Sequence, residues 1–308
     1  MPALEGLHHI TAITADAPRN VGFYARLLGL RLVKKTVNFD SPDAYHLYYA
    51  DERGTPGSVL TFFELPGAAR GRHGEGMPYS IAWRVGSAGA LGFWSERLAG
   101  AGVATAHDNE GALSFVDHEG LEHVLIAEDV PDAPLLADAP GVPAEHALQG
   151  FAGVRAYGSR PAASAPLLEA LGFASSGQAS WQLAGEQRRA WWRYDAPPER
   201  GIQGAGSIHH VAWSATDDGE LERFRALATE AGAHATPIID RHYFHSVYFR
   251  EPSGVLFELA SRDIGFTIDE PLRSLGSELK LPPRHEAARE QLERRLTPID
   301  NPRTASAT

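Results

Sequence analysis

No cysteine occurs among the 308 residues. Disulfides, thiolate metal sites and a cysteine nucleophile are therefore excluded, while the compartment stays open, because many cytosolic enzymes also lack cysteine. No apolar run approaches the roughly 18 residues of a membrane span, so none is expected. The opening "MPALEGLHHI" has no basic segment leading into an apolar stretch, so no secretory leader is expected and a cytoplasmic protein is the default reading. Long basic runs are missing too, and the net charge is -11. A phosphate backbone needs a basic stripe, which argues against nucleic acid as a partner.

What remains is a globular composition. Hydrophobic residues make up 43% and charged residues 22%, ordinary for a soluble chain long enough to bury a sizeable core. Histidine is abundant, with 14 copies. It is the commonest neutral metal ligand and the natural acid/base group near neutral pH, although several copies must be surface residues.

The chain reads as four recurrences of one strand-helix-strands pattern, with a period of about 50 residues. The first opens at "LHHITAIT", with a helix expected over 18–28 and then strands "RLVKKTVNF", "YHLYYAD" and "SVLTFFEL". The separators "DSPDA" and "ERGTPG" have turn chemistry. The second opens at "YSIAWRV" with a helix over 88–99, the third at "GVRAYGS" with a helix over 162–171, and the fourth at "SIHHVAWSA" with a helix over 220–231. A further helical stretch is expected over 285–295. The Pro- and Ala-rich link 130–147 is the best boundary, giving units 1-135 and 148-262 and a tail 263-308. The expected class is α+β: four βαβββ modules in two domains, whose curled mixed sheets enclose a metal cavity.

Two strands begin with a histidine pair, His8–His9 and His209–His210. Side chains alternate along a strand, so one member of each pair should face the concave side while the other lies opposite or at the rim. Glu258 sits in the apolar strand "SGVLFELA", where a charge is costly unless paired or bound to a cation, and no Lys or Arg is near. Two histidines and one carboxylate form the facial triad of non-haem Fe(II) oxygenases, whose net positive charge attracts a phenolate-like oxygen. Manganese has overlapping preferences, so the metal stays open. A lone histidine in a strand is more often a hydrogen-bonded core residue, and it is the joint occurrence that favours a metal. Modules two and three put Ser80 and Gly153 at the histidine positions and Val124 opposite Glu258, so one site per chain is expected. Glu64 could be a fourth ligand through "TFFEL". Aligning Gly57 with Gly254 instead puts Thr61 opposite Glu258 and leaves Glu64 an exposed charge. Phe39, Tyr45, Tyr48, Tyr243 and Phe244 could line a cavity for a flat ring.

These residues, with "YHLYYADERGTPG", "DRHYFHSVYFREPSGVLFE" and the tail "GFTIDEPLRSLGSELKLPP", resemble the vicinal oxygen chelate superfamily. Within it they are similar to the two-domain hydroquinone ring-cleaving dioxygenases. The resemblance implies Fe(II) on His9, His210 and Glu258, with active-site roles for His8, Thr11, His209, Arg241 and Tyr248. It also implies an aromatic substrate and O2. His8 or His209 could then shuttle protons, given a near-neutral imidazole. Exposed sheet edges make a homo-oligomer an expectation. Two rivals remain: a glyoxalase I-like isomerase or lyase using Zn(II) or Ni(II), which usually needs a second carboxylate, and a non-enzymatic binder of a drug or toxin.

Overall fold

The computed structural model describes residues 4–39 and 41–305. The first three positions of the expected unit 1-135, the last three of the tail 263-308, and Asp40 of "DSPDA" lie outside the described residues. Among the described residues sixteen strands form two sheets. They are β1 Leu7–Thr14, β2 Arg31–Asn38, β3 Ser41–Ala50, β4 Val59–Glu64, β5 Met77–Val85, β6 Thr105–His107, β7 Leu113–Val116 and β8 Glu122–Ala127. The second half contributes β9 Phe151–Tyr157, β10 Ala174–Gly177, β11 Ser180–Ala184, β12 Arg189–Asp195, β13 Ile208–Ala215, β14 Ile239–Asp240, β15 His245–Arg250 and β16 Leu256–Ser261.

Four helices follow the first strand of each module: α1 Ala17–Val21, α2 Ala88–Gly100, α3 Pro161–Ala170 and α4 Asp218–Glu230. Ser87 caps α2 by accepting from the Ala90 amide, and Leu91, Trp94 and Leu98, three to four apart, form its buried stripe. Asp217 caps α4 in the same way, above Leu221, Phe224 and Ala228. The expected helix over 18–28 is short: after Val21 the chain continues as a π-helix over Gly22–Leu27. In the tail, a 3-10 segment at Pro283–Ala288 precedes the α-helix Arg289–Arg295. "SPDA" is the start of β3 rather than a turn. Among the described residues no helix is long and apolar enough to cross a membrane.

Both sheets are mixed, and the class is α+β as expected. Their strand orders are β14-β15-β16-β13-β1-β4-β3-β2 and β10-β11-β12-β9-β5-β8-β7-β6. Each sheet therefore draws one module from either side of the 130–147 link, joined by antiparallel pairs β1–β13 and β5–β9. The division of the sheets does not coincide with the expected division of the chain: modules one and four share a sheet, as do two and three. The halves also interlock where bridges tie Arg70 to Ala205, Arg72 to Ile202 and Glu75 to Arg200. A Cβ on Gly204 would stand 2.4 Å from the Ala69 carbonyl, so only glycine admits this close approach.

The two sheets repeat one register. In the first, His9 faces Ala212 across β1–β13, and Ala212 faces Glu258 across β13–β16. In the second, Gly153 faces Ala82, and Ala82 faces Val124. Gly153, Ser80 and Val124 thus stand where His9, His210 and Glu258 stand in the first sheet. Trp191 fills that space: its ring lies 2.2 Å from where a Gly153 Cβ would sit.

Candidate metal centre

His9, His210 and Glu258 converge from β1, β13 and β16 at the centre of the first sheet. All three are buried. Glu258 Oε2 lies 2.9 Å from His210 Nε2 and 3.2 Å from His9 Nε2, and the two nitrogens are 3.3 Å apart. Among the described residues they are the one group of three with metal-binding geometry.

The proton inventory decides what this cluster is. His8 Nε2 lies 3.0 Å from the Ser261 carbonyl, which can only accept, so that nitrogen carries the proton. His8 Nδ1 is then bare and accepts from His9 Nδ1 at 2.9 Å. His9 in turn presents a bare Nε2 to Glu258. The second pair repeats the contact, with Nδ1 atoms of His209 and His210 2.7 Å apart. Glu258 Oε1 accepts from Ser246 at 2.5 Å, whereas Oε2 receives no hydrogen bond. The bare His9 Nε2 facing a carboxylate oxygen in a buried site repels it unless a cation lies between them, and His210 Nε2 completes the triangle of possible ligand atoms. Ligand atoms held about 2.1 Å from one ion at right angles lie about 3.0 Å apart, which the three observed edges match. The donor set fits a divalent metal.

A pair of β-bulges makes the double contact possible. The register skips His8 on β1 and His209 on β13, so each is the extra residue of a bulge. The alternation expected for consecutive residues is broken there, and each first histidine turns its Nδ1 onto its neighbour. Tyr79 and Ala152 are the extra residues of the same bulges in the second sheet.

Burial charges the site unevenly. Burial, aided by His9, lowers His8 to about 3, and burial, aided by His210, lowers His209 to about 4. Their Nδ1 atoms face the ligand histidines, which places both as orienting groups beside the expected proton-shuttle role.

Beside the cluster lies a cavity of about 470 Å³, lined in part by His9, His210, Thr11, His209, Arg241 and Tyr248. His8 is buried away from it. Among the described residues Arg241 is the one Arg or Lys of the lining. Its Nε donates to the Tyr248 hydroxyl at 3.3 Å. The next residue, His242, has φ 70°, the only non-glycine in the left-handed region among the described residues, so the turn that aims Arg241 is strained. Of the expected aromatic lining, Phe39, Tyr48 and Phe244 are present, while Tyr45 and Tyr243 belong to the packing. Sequence reasoning missed Ser246 and His46. Ser246 stands two residues before Tyr248 and His46 two before Tyr48, so period-two spacing from a cavity residue was the available signal.

Glu64 is buried, not exposed as expected, and accepts from the amides of Ala17 and Tyr45. Thr11 pairs with Thr61 across β1–β4 as Ala212 pairs with Glu258, so Thr61 holds the position equivalent to the ligand carboxylate.

A double module carrying a buried two-histidine, one-carboxylate centre defines a class, and sequence comparison agrees. The chain matches the Glyoxalase/Bleomycin resistance protein/Dioxygenase superfamily over residues 6–116 and 160–259, and it belongs to that family. It is 39% identical to a Bacillus subtilis (strain 168) protein named "Putative ring-cleaving dioxygenase MhqA", covering 96% of this chain and 99% of that one. It is 32% identical to the chlorohydroquinone/hydroquinone 1,2-dioxygenase of Sphingobium indicum, over 95% and 96% of the two chains. A solved structure of a Bacillus subtilis protein described as a "putative dioxygenase" superposes with a TM-score of 0.91 at 34% identity, covering 97% of this chain and 99% of that one. Glyoxalase I from Zea mays, at 15% identity and a TM-score of 0.57 over 84% and 92%, shares the fold.

Proposed function

We propose that this protein is an Fe(II)-dependent dioxygenase that opens the ring of a hydroquinone- or catechol-type aromatic, with His9, His210 and Glu258 as the metal ligands. The observation that carries this reading is the convergence of two imidazole Nε2 atoms and a buried carboxylate oxygen beside an aromatic-lined cavity. Fe(II) there supplies Lewis acidity and the one-electron chemistry that lets an aromatic ring react with O2.

The chain's own groups prepare that chemistry. His8, anchored on the Ser261 carbonyl, fixes the tautomer of His9, and His209 sets its Nδ1 against that of His210. Ser246 orients Glu258. Arg241 places a fixed positive charge where a phenolate or a reduced oxygen species gains negative charge. Phe39, Phe63 and Phe244 offer apolar faces to a flat ring and keep water away. Relatives named as ring-cleaving and hydroquinone dioxygenases support the same reaction class.

The glyoxalase-type rival needs a second carboxylate. Thr61 stands at the equivalent position, and Glu64 is engaged by two backbone amides. The test is oxygen uptake by protein loaded with Fe(II) without air, over a panel of substituted hydroquinones and catechols. One O2 consumed per ring opened is expected. Isomerisation of the methylglyoxal–glutathione adduct with no oxygen uptake would overturn the proposal.

A further inference from the structure

Four side chains from β1, β3 and β4 form a directional hydrogen-bond chain that ends at the cavity. Thr61 Oγ1 donates to Thr11 Oγ1 at 3.0 Å. A hydroxyl has one proton, so the contact of 2.8 Å between Thr61 Oγ1 and His46 Nε2 must be donated by His46. A neutral imidazole carries one N–H, so His46 Nδ1 is bare and accepts the Tyr48 hydroxyl at 2.9 Å. The chain thus runs Tyr48 to His46 to Thr61 to Thr11. The hydroxyl proton of Thr11 is left over, and no acceptor among the described residues takes it.

Thr11 lines the cavity and lies on β1 two residues beyond His9, on the same face. His46 packs at a tilt against Tyr48, 4.1 Å between centroids, and against Phe63, 4.4 Å. Burial, then repulsion from His9 and His210, holds its imidazole well below the ordinary value, so it works as a neutral connector. The arrangement grows from the repeat itself: Thr61, at the position where the fourth module keeps its carboxylate, links the cavity to His46.

We propose that His46 and Thr61, backed by Tyr48, are positioning residues that hold the Thr11 hydroxyl as a hydrogen-bond donor aimed at an acceptor oxygen of the bound ligand. This rests on reading the cavity as the site of a phenolic ligand. It adds a polarity to that site: the oxygen beside Thr11 must accept, so the ligand binds there as a phenolate or a carbonyl rather than through a donating hydroxyl.

The experiment compares binding of 4-nitrophenolate and nitrobenzene to the metal-loaded, full-length protein without air. Thr61→Val is nearly isosteric. It should weaken 4-nitrophenolate about tenfold, as should Thr11→Val, with nitrobenzene affinity and metal content unchanged. The double variant should be no weaker than either single one, because both break the same chain. Thr61→Ser and His46→Gln should retain affinity, whereas His46→Leu should not. Equal losses for both probes, multiplied losses in the double variant, or unchanged phenolate binding in Thr61→Val would overturn the proposal. Oxygen uptake with hydroquinones is read separately. A wild-type protein that binds 4-nitrophenolate in this pattern yet consumes no O2 would sink the dioxygenase reading and leave the positioning role standing.

Discussion

Glu258 Oε2 concentrates the chemistry of the site, because it is a fully buried charged oxygen with two imidazole nitrogens for neighbours and no hydrogen bond. Replacing that oxygen by an amide removes the charge and presents an N–H to lone pairs. Glu258→Gln should therefore abolish metal retention while leaving circular dichroism and the thermal transition near wild type; iron retained at one per chain after anaerobic loading would contradict the ligand assignment. His8 acts one step further out. His8→Phe keeps an aromatic ring against Phe244, whose centroid lies 5.1 Å away, but deletes the acceptor that fixes the His9 tautomer. Metal affinity should fall about 10- to 100-fold, read by competition with a chromogenic chelator. An unchanged affinity would mean that burial alone orients His9.

At the scale of elements, what was legible in the sequence depended on periodicity. The helices over 88–100, 161–170 and 218–230 announce themselves by apolar residues at helical spacing, the first and third also by the caps Ser87 and Asp217, and the structure shifts their ends by two residues or fewer. The bulges at His8 and His209 were not legible, since a strand read by alternation sends neighbouring side chains apart. Glu64 was misjudged for a related reason: its partners are backbone amides of Ala17 and Tyr45, which carry no residue-type signal. The hidden network in the second sheet is similar. The Trp83 indole donates to His123 Nδ1 at 3.1 Å, so His123 Nε2–H donates to the Tyr24 oxygen at 3.0 Å, and Tyr24 donates to Asp117 at 2.8 Å. Burial lowers His123 to about 4 from its ordinary 6.5, with Asp117 opposing. A depressed histidine means that the unfolded chain takes up its proton first as pH falls. The stability this residue contributes is thus intact above pH 6.5 and is lost as pH falls toward 4, by about 3 kcal/mol across that window. Urea unfolding between pH 7 and 4 should show a shallower fall in His123→Leu than in wild type, against a lower starting stability. Identical slopes would remove His123 from the account.

The same scale explains how the tail is fastened. Lys34 on β2 is fully buried, with Nζ 2.6 Å from both Asp269 and Glu270. Glu270 also accepts from the Gly276 amide, and Tyr243 donates to Asp269. Lys34→Met would leave Glu270 a buried charge without its cation, so a loss of about 3 kcal/mol in urea unfolding is expected, accompanied by faster proteolysis beyond residue 262. A change below about 1 kcal/mol would show that the two carboxylates find other partners.

The whole molecule is built by exchange between the halves of the chain. The metal cluster takes His9 from before the 130–147 link and His210 and Glu258 from after it, and the edge of β1 that meets β13 has no other partner strand within its own half. Each half alone would expose two such edges, one from each of its modules, and would hold an incomplete ligand set. Residues 1–140 and 141–308 produced separately should bind no Fe(II) stoichiometrically and should aggregate. Produced together from one cell, they should associate through β1–β13, β5–β9 and the 70–75 bridges to 200–205, recovering one metal per pair of fragments and the wild-type secondary-structure spectrum. Recovery is expected because the 130–147 link contributes no strand to either sheet, so cutting it costs the effective concentration of the halves and the turn bridged from Ala139 to Val142. Stoichiometric metal in the first fragment alone would mean that His9 can recruit ligands within its own half, and the cross-half assembly of the site would have to be abandoned.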